Sequence, residues 1–471
     1  MFLKIYAIIL VLIYDVANST YIVKRHEENE CLINHSLKQE IAGYKDVVKN
    51  IMDEINNNYG EDMYKKYVEF IDTFGARPSG SQVLEDSIDY MINLTRSMGV
   101  SDVITEEVKV PHWVRGSETA HLLQPHKKKI EILGLGKSVS TPPEGITANV
   151  VVVNSFDELD AMEETSVRGK IVVYNEKFTT YGDTAKYRSQ GATKASKKGA
   201  VAALVRSITP FSLYTPHTGS QSYDDDIKKI PVAAITIEDA EFMWRLQLAG
   251  ENIVLHMDMA STFDEKISRN TIIDLKGSTY PNKQVIVSGH IDSWDVGTGA
   301  MDDGGGMFIS WFAPVVLKKL NYSPKRTLRA ILWTAEEFGL IGAEAYLNRH
   351  KDELYNINFI MESDEGTFKP EGLDVAGTHE ARCIMTEVLK LFDPINKMTN
   401  SGAPGSDITL FTAEGVPGAS LLNANEKYFW YHHTDADTLE VQNKDHVIEC
   451  AAFWVAYSYI IADLSVDLPR H

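Results

Sequence analysis

Cysteine is scarce in this chain: 471 residues contain three, Cys31, Cys383 and Cys450. Three thiols cannot build the disulfide framework of a small stapled scaffold. Cys31 lies in a polar stretch, while Cys383 and Cys450 sit in apolar helical patterns. Buried core thiols are the expectation, with a Cys383–Cys450 bridge left open. Long apolar runs are also missing. No stretch of the chain reaches the roughly 20 apolar residues of a membrane-spanning helix, so no membrane span is expected. Cations are few: 46 Lys and Arg stand against 66 Asp and Glu, a formal charge of −20. Nucleic-acid binders need clustered cations for the phosphates, and an anionic membrane surface repels an acidic chain, so neither is an expected partner. Most of the acidity reads as solvated surface that keeps the protein soluble. What is present is ordinary for a globular protein, with 44% hydrophobic and 24% charged residues, which excludes wholesale disorder.

The chain begins with a pattern that reads as a secretory signal over residues 1–19. Lys4 gives a short basic start, residues 5–14 are apolar, Asp15 ends the run, and Ala17 and Ser19 are small residues suited to cleavage. Sequons at Asn34, Asn93 and Asn321 fit the same route. Residues 20–44 are polar, carry Lys24-Arg25 and read as a possible pro-segment. From Ile41 to Ile55 apolar residues recur at helical spacing, and residues 83–98 repeat the pattern after a Gly-Ala-Arg77-Pro-Ser-Gly-Ser loop.

The length suggests about three structural units. Residues 45–125 read as the first part of a catalytic domain, 126–262 as an inserted β-rich domain of short β-branched runs, and 263–471 as the chemistry-bearing part. In the last part strands at 284–288, 328–334 and 358–361 alternate with helical stretches at 307–320 and 340–348. That alternation predicts an α/β fold, a mostly parallel mixed sheet with helices on both faces.

Sites in such sheets form at the carboxyl ends of the strands. Three successive strands here end in metal-ligand residue types: His290 and Asp292, then Glu336 and Glu337, then Asp364. Asp302 and Asp303 stand between the first two, just before a helix, and His432-His433-Thr-x-x-Asp437 follows much later. One such tip means little, because a Glu-Glu pair is usually a solvated helix start and a His-x-Asp usually a surface turn. The Gly-rich 304–306 stretch lacks the Lys-Ser/Thr of a phosphate loop and follows two aspartates, which would repel phosphate. Recurrence at three strand ends is what points to a site. His, Asp and Glu without Cys suit catalytic zinc, and there are enough ligands for two ions sharing a carboxylate. In Glu336-Glu337 one carboxylate can bind metal while its neighbour moves a proton.

Together Gly289-His290-x-Asp292, Gly-Ala-x-Asp302-Asp303, Glu336-Glu337-x-Gly-Leu-x-Gly, Asp364 and His433-Thr-x-x-Asp437-Thr438 resemble the di-zinc aminopeptidase/glutamate carboxypeptidase family. The Arg77 loop is similar to that family's N-terminal part, and residues 126–262 resemble a protease-associated insertion. The resemblance implies the zinc exopeptidase fold and two Zn2+ per chain. One ion takes His290 and Asp364, the other Glu337 and His433, and Asp302 bridges them. It implies Glu336 as general base and acid, Asp292 orienting His290 through its second ring nitrogen, and a cis Asp302-Asp303 peptide. Some relatives place a Tyr before the second histidine to stabilise the tetrahedral intermediate. His432 stands there and is either the equivalent donor or a packing residue, with Tyr428 and Tyr431 as weaker candidates. Ile408 departs from the His that many relatives carry after Ser-Asp. Arg77 and Arg382 are possible partners for a substrate anion, though arginines are more often at the surface. The implied protein is a secreted or lysosomal homodimeric exopeptidase, made as a glycosylated zymogen and acting on short peptides, dipeptides with free termini among them. A receptor-like homologue without catalysis and a single-zinc acyltransferase similar to glutaminyl cyclase are the alternatives.

Overall fold

A computed structural model of the chain describes residues 31–402 and 404–470. The signal sequence and residues 20–30 of the pro-segment, with Lys24-Arg25, lie outside the described residues. Helices His35–Gly43, Lys45–Glu54, Gly60–Phe74 and Gln82–Ser97 come first, the last capped by Ser81, whose side chain accepts from the Leu84 N–H.

The expected parallel sheet is present. Strand Tyr280–His290 lies at its centre, with Arg326–Trp333 and Ile357–Glu362 paired parallel to it on either side. Alternation along these strands builds two cores. Val285, Val287, Leu328, Ala330, Phe359 and Met361 pack on one face against helices Gly305–Lys319 and Lys444–Asp463. Ile286, Ile331, Trp333 and Ile360 pack on the other with Ala343, Tyr346 and Phe411. Helix Lys444–Asp463 is buried over most of its circumference, so the first core encloses it and does not merely lean on it.

Two 22-residue strands, Val103–Gln124 and Val254–Leu275, form a long antiparallel ribbon. One end joins the central sheet through Leu275↔Leu328, and the other meets strand Ile146–Val153 through Ile146↔Met257. Between the two ribbon strands the chain builds four parallel strands, Ile146–Val153, Ile171–Tyr174, Ala202–Arg206 and Val232–Ile235. Its longest elements are nonetheless the helices Tyr181–Lys197 and Ile237–Leu248. The β-rich expectation for 126–262 is thus corrected to α/β. Short Val- and Ala-rich strands dominated the sequence pattern, whereas helix Tyr181–Lys197 is too polar to show an apolar period.

The cysteines also differ from expectation. Cys31 pairs with Cys383, and Cys450 is the free buried thiol, its Sγ 3.0 Å from the Phe368 carbonyl oxygen. The bridge fastens the segment before helix His35–Gly43 onto helix His379–Leu389. A polar surrounding for Cys31 marked an exposed tether and not a core thiol. Among the described residues no helix is long and apolar enough to cross a membrane. Asn34, Asn93 and Asn321 are all exposed.

Candidate metal centre

Parallel pairing puts the three strand ends side by side. Trp333 is in register with His290, and Glu362 with Ser288. The residues just beyond, Glu336, Glu337 and Asp364, therefore converge on His290. The loop after His290 folds back over the strand, and Gly289 permits it. A Cβ at Gly289 would sit 2.4 Å from Asp303 Oδ2 and 2.6 Å from the Met307 nitrogen. The Asp302-Asp303 peptide is cis, as expected.

His290 Nε2 lies 3.2 Å from Asp302 Oδ1 and 3.0 Å from Asp364 Oδ1. His433 Nε2 lies 3.3 Å from Asp302 Oδ2 and 3.0 Å from Glu337 Oε2. The two oxygens of Asp302 thus face two different histidines. With metal–nitrogen bonds of about 2.0–2.1 Å, the ligand atoms of a tetrahedral zinc stand roughly 3.3 Å apart, which is the spacing seen here.

The protonation pattern also fits a metal. Each histidine has Nδ1 against a backbone carbonyl, Asp292 O at 3.0 Å for His290 and Thr218 O at 3.1 Å for His433. An N–H at Nδ1 leaves the Nε2 lone pair aimed into the cluster. Asp302 Oδ2 and Glu337 Oε1 are buried with no hydrogen-bond partner, an arrangement that is costly unless a ligand completes it. Without metal the groups compensate by holding protons. Burial lowers the affinity of His433 for a proton, but Glu337 and Asp302 override it and raise its pKa to about 9. Burial pushes Glu337 up to about 7. His290 is likewise raised, burial being outweighed by Asp364, Asp292 and Asp302.

A second set of carboxylates holds backbone in place. Asp303 accepts from the His290 and Gly306 amides, Asp437 from Met301 and Asp302, and Glu362 from Ser406 and Ile408. Asp292 belongs to this set as well as standing against the second ring nitrogen of His290. Its carboxylate accepts from the Glu336 and Glu337 amides at 3.0 and 3.3 Å, and stands 3.6 Å from His290 Nδ1. The residue orients the imidazole through its backbone carbonyl and fixes the Glu336-Glu337 turn through its side chain. Ile408 is a core residue whose amide serves Glu362, so its departure from histidine does not empty a ligand position.

Glu336 is different again. Its Oε2 is 3.9 Å from His290 Nε2, its side chain is 15% exposed, and it lines the cavity. Burial, then the charge of Asp364, raises it well above the usual carboxylate range. His432 also reaches the centre. Its ring stacks on His433 at 3.5 Å, its Nε2 is 3.5 Å from Asp302 Oδ2, and burial holds its pKa well below the usual value. The Asp302, His432 and His433 ligand atoms lie within 4.8 Å of one another. Tyr428 spends its hydroxyl on the Asp364 carbonyl, and Tyr431 does not line the cavity.

Neither expected anion partner faces the site. Arg77 is fully buried and donates to the carbonyls of Gly75, Ile291, Thr298 and Gly299. It is the peg under the loop that carries Asp292 and Asp302. Arg382 donates to the Gly377 carbonyl, away from the cavity. The sequence reading missed Tyr181 and Arg188, which line the cavity of about 290 Å³ from helix Tyr181–Lys197. That helix carries no ligand motif, and only the fold brings it to His433.

Residues 270–458 match Peptidase family M28. The chain is 50% identical to carboxypeptidase Q of Xenopus laevis, covering 92% of this chain and 93% of that one. It belongs to peptidase family M28. Human carboxypeptidase Q is 48% identical over 92% of each chain. A peptidase M28 precursor from Shewanella amazonensis superposes with a TM-score of 0.86 at 31% identity, covering 91% of this chain and 99% of that one. A zinc aminopeptidase from Bacillus subtilis shares the fold at TM-score 0.67 and 19% identity, with 87% and 98% covered. This M28 chain is a zinc metallopeptidase, a hydrolase whose candidate ligands are the His–carboxylate groups described above.

Proposed function

We propose that this M28 peptidase is a di-zinc exopeptidase that hydrolyses short peptides, in particular dipeptides with free termini. The observation that carries the reading is Asp302, whose two oxygens face His290 and His433 separately. His290 and Asp364 would hold one ion, His433 and Glu337 the other, with Asp302 between them. Bound zinc would supply Lewis acidity and a nucleophile available at neutral pH.

The chain's own residues do the rest. Glu336, with no backbone amide on its carboxylate, takes a proton at Oε2 and returns it to the departing amine. Asp292 holds Glu336 in place by its amide. His432 stays neutral beside Asp302, where its ring N–H donates to the oxygen of the scissile group. The cavity sits at the small end of ligand pockets, roughly 300–1,000 Å³, which suits a short peptide, and the name of the carboxypeptidase Q relatives fits an exopeptidase. The Cys31–Cys383 bridge and the exposed sequons support passage through the secretory route to a secreted or lysosomal destination.

Replacing Glu336 by Gln keeps size and removes the base. The expected result is unchanged zinc content with kcat lowered by roughly 10²–10⁴-fold, read by dipeptide hydrolysis and metal analysis on the same sample. Normal turnover in that variant overturns the assigned role.

A further inference from the structure

The cavity is lined by Asp302, Glu336, Glu337, Asp364 and Glu365, and by one Lys or Arg side chain, Arg188. Arg188 is 8% exposed, yet among the described residues no carboxylate lies within ion-pair distance of it. A guanidinium taken out of water without a counter-charge costs several kcal/mol, and buried arginines are almost always paired. This one is instead held in position by neutral groups. Nη1 donates to the Thr218 carbonyl at 3.1 Å, Nη2 to the Tyr181 hydroxyl at 2.5 Å, and the cation lies 5.3 Å over the Tyr181 ring. Gly219 lets the fork lie flat on the backbone: its φ is +146°, and a Cβ there would sit 2.2 Å from Arg188 Cζ. Nε is buried with no partner at all.

We propose that Arg188 is the specificity residue that binds the free C-terminal carboxylate of the peptide. This rests on the exopeptidase reading above. The planar fork of Arg matches a carboxylate with two parallel hydrogen bonds. Arg188 neighbours His433, with Nη1 3.4 Å from its Nδ1. The anchor therefore stands beside the ligands that flank Asp302, within the same cavity. An acidic wall alone would repel the anionic end of a peptide; Arg188 places the compensating charge on one side and so gives the substrate a direction.

The test uses the zinc-loaded full enzyme with one dipeptide as the free acid and as the C-terminal amide. Wild type is expected to favour the acid by roughly 10²-fold in kcat/KM, the scale of a charge-assisted pair. Arg188→Met should lower the acid by about two orders of magnitude more than the amide, mainly through KM, with zinc content retained. Arg188→Lys should recover part of the preference. Equal losses for acid and amide, or a preference that survives Arg188→Met, overturn the assignment. So does a wild type that cleaves both forms equally, a result that needs no variant. A wild type that cleaves neither form overturns the exopeptidase reading first, and this one with it.

Discussion

Two parts of the chain meet at the cavity and contribute different things. The central strands end in ligands, and every one of those side chains is a carboxylate or imidazole whose position follows from register. The wall formed by Tyr181, Arg188 and Ser220, with Thr218 behind it, arrives from the segment between the ribbon strands. It contributes no carboxylate, but it sets the tautomer of His433 through Thr218 O and brings in the cavity's Arg. If the proposed roles hold, metal chemistry and substrate choice reside on separate pieces of the fold. Changes at the strand ends should alter metal content, and changes in the wall should alter which peptides are cleaved.

The largest effect is expected for Asp302→Ala. Removing the shared carboxylate leaves each histidine short of a ligand, so zinc should be lost and turnover should fall by roughly 10³-fold or more. Metal analysis with a dipeptide assay reads both; retained zinc would break the comparison. Arg77→Met comes next. Four carbonyls, three of them in the ligand loop, lose their donor, costing about 3–4 kcal/mol, visible as a lower midpoint in denaturant even with zinc present. Asp437→Asn leaves one acceptor for two amides, Met301 and Asp302, and should weaken zinc binding by roughly 10–100-fold. In the wall, Gly219→Ala forces the guanidinium aside and should raise KM for a free-acid dipeptide by about tenfold. Zinc content should be unaffected, and loss of zinc there would show that the two regions are not separable.

A smaller effect concerns the metal-free protein. His433 has a raised pKa of about 9 against an ordinary 6.5, so between those values the folded chain holds a proton that the unfolded chain has lost. Glu337, at about 7, acts in the same direction up to that pH. His432 and His217, whose values are depressed, are neutral in both states above 6.5 and drop out. Thermal stability of the apo protein should therefore fall as pH rises from 6.5 to 9. With zinc the imidazole of His433 is held neutral by the metal and the slope should disappear.

The ligand set was legible in the sequence because strand ends are local. His290, Glu337 and Asp364 sit within a few residues of a strand, whereas Asp302 and His433 stand farther along the chain and were legible only through their motifs. Asp437 was visible only as part of a motif; its work, two amides of the Asp302 turn, depends on geometry that no spacing encodes. Asp292 stands against His290 Nδ1 and has a second task, the Glu336 and Glu337 amides, that was unreadable for the same reason. Arg77 looked like a surface cation because a buried guanidinium satisfied by four carbonyls leaves no sequence signal. Arg188 and Tyr181 are seven residues apart on one polar helix, two turns and one face, and nothing in that helix announces a cavity. Cys31 paired over a separation of 352 residues, a distance at which sequence offers no guide.

The central claim is that two metal sites share Asp302. Zinc per chain, measured by elemental analysis on purified, zinc-saturated protein after removal of unbound metal, tests it most directly. Two ions per chain in wild type is the expected result; a value of one or none would contradict the account.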